Sequence, residues 1–292
     1  LILLNLQILE FAAVWDCHRL RQEGAMDNSI REMYSLEGKF ALVTGARRNF
    51  GAEMALGLAE AGATVAITAR TIDKAREGAK ALKAESGFSF IPMELELTSE
   101  ESVQRLFAEI KERFGRLDVL VNNAGGHSPS ACGLLEKESL QGWHDFIESN
   151  LTGTFLMLRE YARLMMPLGS GSVINIASMA GMVGRDRKIY GDDMTPNPIA
   201  YSSAKAGVIG LTYDTAAYLG PYGIRVNAVS PGGFLRTQPE HFVHDYSELT
   251  MLKRMGAPGH DLKGVILFLA SDASAYVTGH NLVVDGGFTR YK

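Results

Sequence analysis

The amino-acid sequence predicts an α/β fold of three layers: a doubly wound parallel sheet with helices on both faces. Two observations carry that prediction. From Lys39 onward, short apolar runs alternate with longer amphipathic ones. The short runs are apolar throughout, as strands buried on both faces are. The longer runs repeat their apolar residues every three or four positions, which gives a helix one buried face.

Residues 40–44 read as the first strand, an apolar run that ends in the turn residues Thr44 and Gly45. A helix over 51–61 follows, with Met54, Ala55, Leu58 and Ala59 at helical spacing. Residues 64–69 form a β-rich run, 72–86 a helix with a charged face, and 88–95 a third strand. Thr98 and Ser99 are suited to cap the next helix, whose stripe is Val103, Leu106, Phe107, Ile110 and Phe114. Later strands are expected at 119–122, 172–176, 225–230 and 282–285, separated by long helical stretches near 140–166 and 199–219.

No Pro/Ser-rich linker, repeat or low-complexity run divides the chain, so residues 36–292 are expected to form one domain and 1–35 an extension outside it. Leu1 to Trp15 is apolar but broken by Asn5, Gln7 and Glu10. That stretch is too short for a membrane span and lacks the basic leader of a signal peptide. Met26 and Met33 both precede the first strand. Residues 1–25 therefore read as an over-extended reading frame or accessory tail, dispensable for activity; the alternative is an amphipathic docking helix.

The 292 residues are 46% hydrophobic and 21% charged, an ordinary globular balance. A net charge of −4 with no long basic block argues against a nucleic-acid partner, and no stretch calls for a membrane. Cys17 and Cys132 make no disulfide framework, which suits a reducing, cytoplasmic setting.

Tyr201 is the only tyrosine with a lysine, Lys205, four residues later. On a helix that spacing puts both side chains on one face. A phenol that titrates at about 10 is a poor proton donor at neutral pH, and a neighbouring ammonium lowers that value. The pair has company at the expected carboxyl ends of strands, where sheets of this kind bind ligands. Thr44-Gly45-Ala46-Arg47-Arg48-Asn49-Phe50-Gly51 joins the first strand to the first helix. Its small residues and the helix N-terminus suit a pyrophosphate. Asn122-Asn123-Ala124-Gly125, Asn150, Ser178 and Ser230-Pro231-Gly232 complete the set.

On these motifs the chain resembles the short-chain dehydrogenase/reductase family, in its compact single-domain branch, from about Leu36 onward. The family's Thr-Gly-x-x-x-Gly-x-Gly is matched by Thr44, Gly45 and Gly51, with Asn49 in place of the middle glycine. Asn tolerates left-handed backbone better than most residues. Asn-Asn-Ala-Gly is matched by residues 122–125, and the C-terminal signature by Asp285-Gly286-Gly287. The resemblance implies a Rossmann-type fold, a nicotinamide dinucleotide and hydride transfer between a carbonyl and a secondary alcohol. It implies that Tyr201 transfers the proton, Lys205 lowers its pKa and holds the ribose, Ser178 binds the substrate oxygen, and Asn150 completes a water relay.

The cofactor positions it implies are Gly45, Arg48, Asn49, Phe50 and Gly51 in the first turn, and Arg70 after the second strand. Glu96 and Leu97 follow the third, and Asn123, Ala124 and Gly125 the fourth. Tyr201 and Lys205 belong to both sets, and Pro231 and Gly232 lie after the sixth strand. A homo-oligomer, dimer or tetramer, is also implied.

The second strand ends Ala69-Arg70 with no carboxylate for ribose hydroxyls, and Arg48 offers a second base. Two arginines suit a 2′-phosphate, so NADP(H) is expected, with NAD(H) the alternative. Ser178 and Tyr201 are further apart than is usual in the family, and the added residues are polar. Arg185 and Arg187 there, with Arg236 on the loop after the sixth strand, are the expected substrate contacts. They suggest a sugar-derived or other hydroxylated or anionic substrate, and 181–197 is expected to be a flap over it. A 3-oxoacyl thioester reductase is the rival within the family. A non-catalytic dinucleotide-sensing or partner-binding module is the rival outside it. No metal is expected; Glu240, His241, His244 and Asp245 read as a polar helix face.

Overall fold

A computed structural model describes residues 29–126 and 132–291. The first element, α1 (Ile30–Tyr34), opens on a capping box between Ser29 and Glu32 and buries none of its side chains. Among the described residues, the first buried one is Leu36, 1% exposed. The tail assigned to residues 1–25 lies outside the described residues.

The strands are β1 (Phe40–Val43), β2 (Thr64–Ala69), β3 (Phe90–Glu94), β4 (Val119–Asn122), β5 (Gly171–Ile176), β6 (Ile224–Pro231) and β7 (Asn281–Val284). They form a seven-stranded sheet in the order β3-β2-β1-β4-β5-β6-β7, and every pairing is parallel. The fold is Rossmann-like, as the sequence predicts, and each strand falls where the apolar runs stand. The third, Phe90–Glu94, is shorter than 88–95; at its start Phe88 turns outward, 39% exposed.

Successive residues of β1 show why these strands are apolar throughout. Ala41 and Val43 pack on one face with α2 (Asn49–Glu60). Phe40 and Leu42 pack on the other with α4 (Glu100–Phe114). The period-2 alternation is present, but both faces are covered. Burying each large apolar side chain there contributes about 1.5–3 kcal/mol. Between these helices in the chain, α3 (Ile72–Ser86) is capped by the Thr71 side chain. Ser99 is the cap of α4.

The stretch predicted as one helix near 140–166 is interrupted. It runs as α5 (Leu140–Ile147), a single π turn over Glu148–Thr152, and α6 (Gly153–Met165). Asn150 sits in the π turn, where its amide donates to Phe146 O (3.2 Å) and Gly126 O (3.4 Å). Side-chain donors there compete with the helix ladder, which is how such bulges persist. The remaining helices are α7 (Ile199–Leu219), α8 (Glu240–Glu248) and α9 (Lys263–Ala270). Among the described residues no helix is long and apolar enough to cross a membrane.

The chain winds outward from β1 to β3, then returns to place β4 on the other side of β1. The carboxyl ends of β1 and β4 diverge at that switch, which opens a crevice above the sheet.

Candidate active site

The β1–α2 turn and the segment after β4 meet at this crevice and are tied by one threonine. Thr44 Oγ1 accepts from the backbone N–H groups of Asn123 and Ala124, both at 2.9 Å. Asn123 Nδ2 donates back to Thr44 O (2.8 Å). Gly45 N donates to Thr68 Oγ1 of β2 (3.1 Å). Asn123 thus holds the turn from behind. Thr68 is a member of this network that motif reading missed; its only signal was a buried hydroxyl in an apolar strand.

The turn has the shape a diphosphate needs. A Cβ on Gly51 would come within 2.6 Å of Gly45 O and 2.7 Å of Ala46 Cα, so only glycine fits. Asn49, which replaces the family's middle glycine, has φ of 55°, in the left-handed region that Asn tolerates. The turn therefore keeps its path without that glycine. Arg48, the residue before α2, is exposed. Arg70 is also exposed and lies 3.9 Å from Glu96 across the ends of β2 and β3. Glu96 is bonded by the Thr98 hydroxyl (3.0 Å). Leu97 packs where Gly153 leaves room for it. These features fit a nicotinamide dinucleotide: an open glycine turn at a helix start, flanked by cationic side chains.

A cleft of about 210 Å³ continues from the turn along the carboxyl ends of β4, β5 and β6. Phe50, Asn150, Ser178, Tyr201, Lys205 and Gly232 are among its walls. Three distant chain segments, the π turn, the end of β5 and α7, therefore bring the predicted catalytic residues to one cavity. Asn150 is buried in the π turn and approaches the β4 loop so closely that a Cβ on Gly125 would lie 2.4 Å from its Oδ1. Ser178, just past β5, accepts from Ala180 N (3.1 Å) and hydrogen-bonds Tyr201. Tyr201 lies in the first turn of α7, and Phe146 of α5 stands edge-on to its ring.

Lys205 Nζ lies 5.8 Å from the Tyr201 ring centroid and donates to Ile176 O (2.7 Å). Burial lowers its pKa to about 8. Tyr201 shifts the other way. Burial raises the phenol above its ordinary value, opposed by the Ser178 hydrogen bond and the charge of Arg185 and reinforced by Tyr190. The expectation that Lys205 depresses the phenol is not what this geometry gives. The ammonium is turned to a backbone carbonyl, and desolvation outweighs the favourable terms.

Two of the three predicted substrate arginines stand outside this cleft. Arg185 donates to Asn197 O (3.0 Å), Ser202 Oγ (3.2 Å) and Tyr190 OH (3.5 Å). Arg187 donates to Gly133 O. Both border a neighbouring cavity between residues 181–187 and α7, outside the walls of the catalytic cleft. Arg236 lies over the Phe50 ring at 4.5 Å, on the glycine-turn side.

Residues 181–197 fold against α8. Ile189 is buried with Met179, Phe242, Tyr246 and Met255 in a small separate core, and His241 pairs with Asp193 (3.4 Å). Gly181, at the start of this segment, is a close approach: a Cβ there would meet Ala206 N at 2.6 Å. Gly191 does have a left-handed backbone, φ 59°. The polar face of α8 also holds a contact between His244 and Asp245 (3.0 Å).

Comparison with known proteins agrees with this arrangement. A family model described as enoyl-(acyl carrier protein) reductase matches residues 45–289. The chain is 36% identical to the 3-oxoacyl-[acyl-carrier-protein] reductase FabG of Aquifex aeolicus (strain VF5), over 86% of this chain and 98% of the relative. It is 38% identical to the trans-4-hydroxycyclohexanecarboxylate dehydrogenase of Sinomonas cyclohexanicum, over 86% and 93%. A crystal structure of a gluconate 5-dehydrogenase from Burkholderia cenocepacia J2315, in complex with NADP and tartrate, superposes with a TM-score of 0.79. It is 32% identical and covers 89% of this chain and 99% of its own. The chain is an oxidoreductase acting on carbonyl and alcohol groups, and it belongs to the short-chain dehydrogenase/reductase family.

Proposed function

We propose that this protein interconverts a polar, hydroxylated carbonyl compound and its secondary alcohol with NADP(H), using Tyr201 as proton donor and acceptor. The observation that carries the reading is the convergence of Asn150, Ser178, Tyr201 and Lys205 on one cleft that runs into the glycine turn. The catalytic unit is residues 36–292, working in the cytoplasm. Exposed Phe155, Tyr213 and Tyr218 support a homo-oligomer.

When bound, the nicotinamide would supply or accept the hydride. It would rest on the turn from Gly45 to Gly51, with Asn123, Ala124 and Gly125 on one side, Pro231 and Gly232 on the other, and Lys205 at its ribose. During reduction, negative charge grows on the carbonyl oxygen. Ser178 and Tyr201 donate hydrogen bonds to that oxygen, and Tyr201 hands over its proton. Burial keeps the phenol protonated at neutral pH, which suits the donor role. Lys205, with its pKa near 8, then returns a proton through water held by Asn150.

Tyr201→Phe should lower kcat by roughly 10²–10⁴-fold with cofactor affinity held. Ser178→Ala should cost about 10²–10³-fold. Near-normal turnover in Tyr201→Phe would overturn the mechanism. Retained cofactor binding with no turnover on any carbonyl in the unmodified protein would favour a sensing module instead.

The NADP(H) reading rests on Arg48 and Arg70, both exposed beside the turn, and on Ala69 where a carboxylate would select NAD. NADP bound to the gluconate 5-dehydrogenase supports it. NADPH should bind more tightly than NADH, and Arg48→Ala with Arg70→Ala should erase the difference in a fluorescence titration. For the substrate, hydroxy acids are favoured by the names of two relatives, which act on a hydroxycyclohexanecarboxylate and on gluconate. A 3-oxoacyl thioester is the second reading, favoured by the match to FabG. Parallel kcat/KM measurements on hydroxy acids, sugars and oxoacyl thioesters decide between them.

A further inference from the structure

Alternate residues of β5 face α7. Ala177, just past the strand, belongs to a small core with Val208 and Ile209 of α7. Val173 belongs to the larger core that holds Ala216 and Leu219. Between them stand Asn175 and Thr212, both fully buried, and Asn175 Nδ2 donates to Thr212 Oγ1 (3.0 Å). The Thr212 hydroxyl donates in turn to Val208 O (2.8 Å). Asn175 Oδ1 accepts from Asn122 Nδ2 (2.9 Å), its register partner on β4. The next residue, Asn123, is the one that holds the glycine turn at Thr44 O. A buried polar chain thus runs from α7 through β5 to the end of β4.

Lys205 precedes Thr212 by two turns of α7, so both side chains leave the same helix face. Its Nζ donates to Ile176 O (2.7 Å), the residue after Asn175. The helix therefore meets β5 through directional side-chain bonds to two consecutive strand residues. Around Lys205 the helix surface is small: Ala200, Ser202, Ser203, Ala204, Ala206 and Gly207. Such a surface has no large ridges to fix its register against a neighbour. A satisfied buried polar bond supplies that uniqueness.

We propose that Asn175 and Thr212 are positioning residues: their bond pins α7 on β5 at the register that brings Lys205 Nζ to Ile176 O, beside the Tyr201 ring. The proposal rests on the role assigned to Lys205. Neither side chain lines the cleft, and both act through the lysine.

Thr212→Val keeps the volume and removes the hydroxyl. Its kcat should fall roughly ten- to a hundredfold well below its melting transition, as a displacement of about 1 Å at a catalytic group does. Thr212→Ser keeps the hydroxyl and should recover most of that loss. The effect should vanish where the lysine is absent. In Lys205→Met, adding Thr212→Val should change the rate of single-turnover NADPH oxidation by no more than about twofold. A merely structural role would slow both backgrounds equally. Thr212→Ala, a better helix former, takes the place of the Val variant if that variant does not fold. A crystal structure of the variant reads the position without turnover: Nζ should have left hydrogen-bond distance of Ile176 O. That reading stands even if Lys205→Met keeps its activity, a result that would remove the lysine's role and not the pin. An Nζ still bonded to Ile176 O overturns the proposal. So does an equal loss of rate in the two backgrounds, or a Ser variant as slow as the Val variant.

Discussion

The two walls of the active-site cleft are built by different means. The cofactor wall is backbone pinned by short polar side chains: Thr44, Thr68 and Asn123 fasten the β1–α2 turn to β2 and the β4 loop, and Gly51 leaves no space for a side chain. The substrate wall is a segment packed by large side chains: Ile189, Phe242 and Tyr246 form its core, and Arg185 and Arg187 tie it to the carbonyls of Asn197 and Gly133. A rigid turn suits a ligand whose diphosphate is always the same. A packed segment can change its contents without disturbing the sheet, so it is where specificity varies.

The largest effect is expected where the walls meet. Lys205→Met should abolish most turnover and yet raise the melting temperature at pH 7, because it removes a buried ammonium. The pH dependence has a definite sign. Between about 8 and the ordinary lysine range the unfolded chain binds more protons than the native one. Stability of the parent therefore rises with pH across that window. Lys205→Met should lack that rise; equal slopes in melts from pH 7 to 10 would contradict it.

Gly51→Val attacks the cofactor wall alone. Overpacking against Gly45 O should cost about 1–3 kcal/mol, and NADPH affinity should fall at least tenfold by fluorescence titration. Unchanged affinity would mean the turn is not the diphosphate seat.

Tyr246→Phe attacks the substrate wall alone. The hydroxyl accepts from Gly233 N and donates to Met179 Sδ (3.3 Å). Its loss leaves the half-buried Gly233 N–H without this acceptor, a cost of about 1 kcal/mol. KM for substrate should rise while NADPH affinity holds; a matching fall in both would erase the division between the walls.

Gly184→Ala should do least. It sits in the same segment as Arg185, but a Cβ there meets nothing within 4 Å and its φ is not left-handed. A neutral or slightly stabilising result, up to about 1 kcal/mol through the unfolded chain, is expected. A loss of activity would show that the segment must flex at this point.

The walls also differ in how far the sequence reveals them. The turn 44–51, Asn123 and Asn49 carry their geometry in residue type, since few residues accept a left-handed φ or a contact of 2.6 Å. The strands were legible because burial on both faces leaves continuous apolar runs. Arg185 and Arg187 were not legible: a surface-type cation on a polar insert looks ready for an anionic substrate, and their carbonyl acceptors are ones that the chain brings near from 12 and 54 residues away. The break in the helix near 140–166 was hidden for a similar reason, because Asn150 bends it partly by reaching Gly126 O in another segment.

The same distinction runs through the whole molecule. Local patterns of apolarity, glycine and capping residues were enough to specify the seven-stranded sheet, its order of strands and helices, and the family, because each acts within a few residues of itself. Which groups share a cavity, which way Lys205 points, and whether Tyr201 is made more or less acidic came only with the folded chain. Those outcomes are sums of desolvation and long-range partners, such as Ile176 O for the lysine and Arg185 for the phenol, and no local pattern encodes a sum over distant groups.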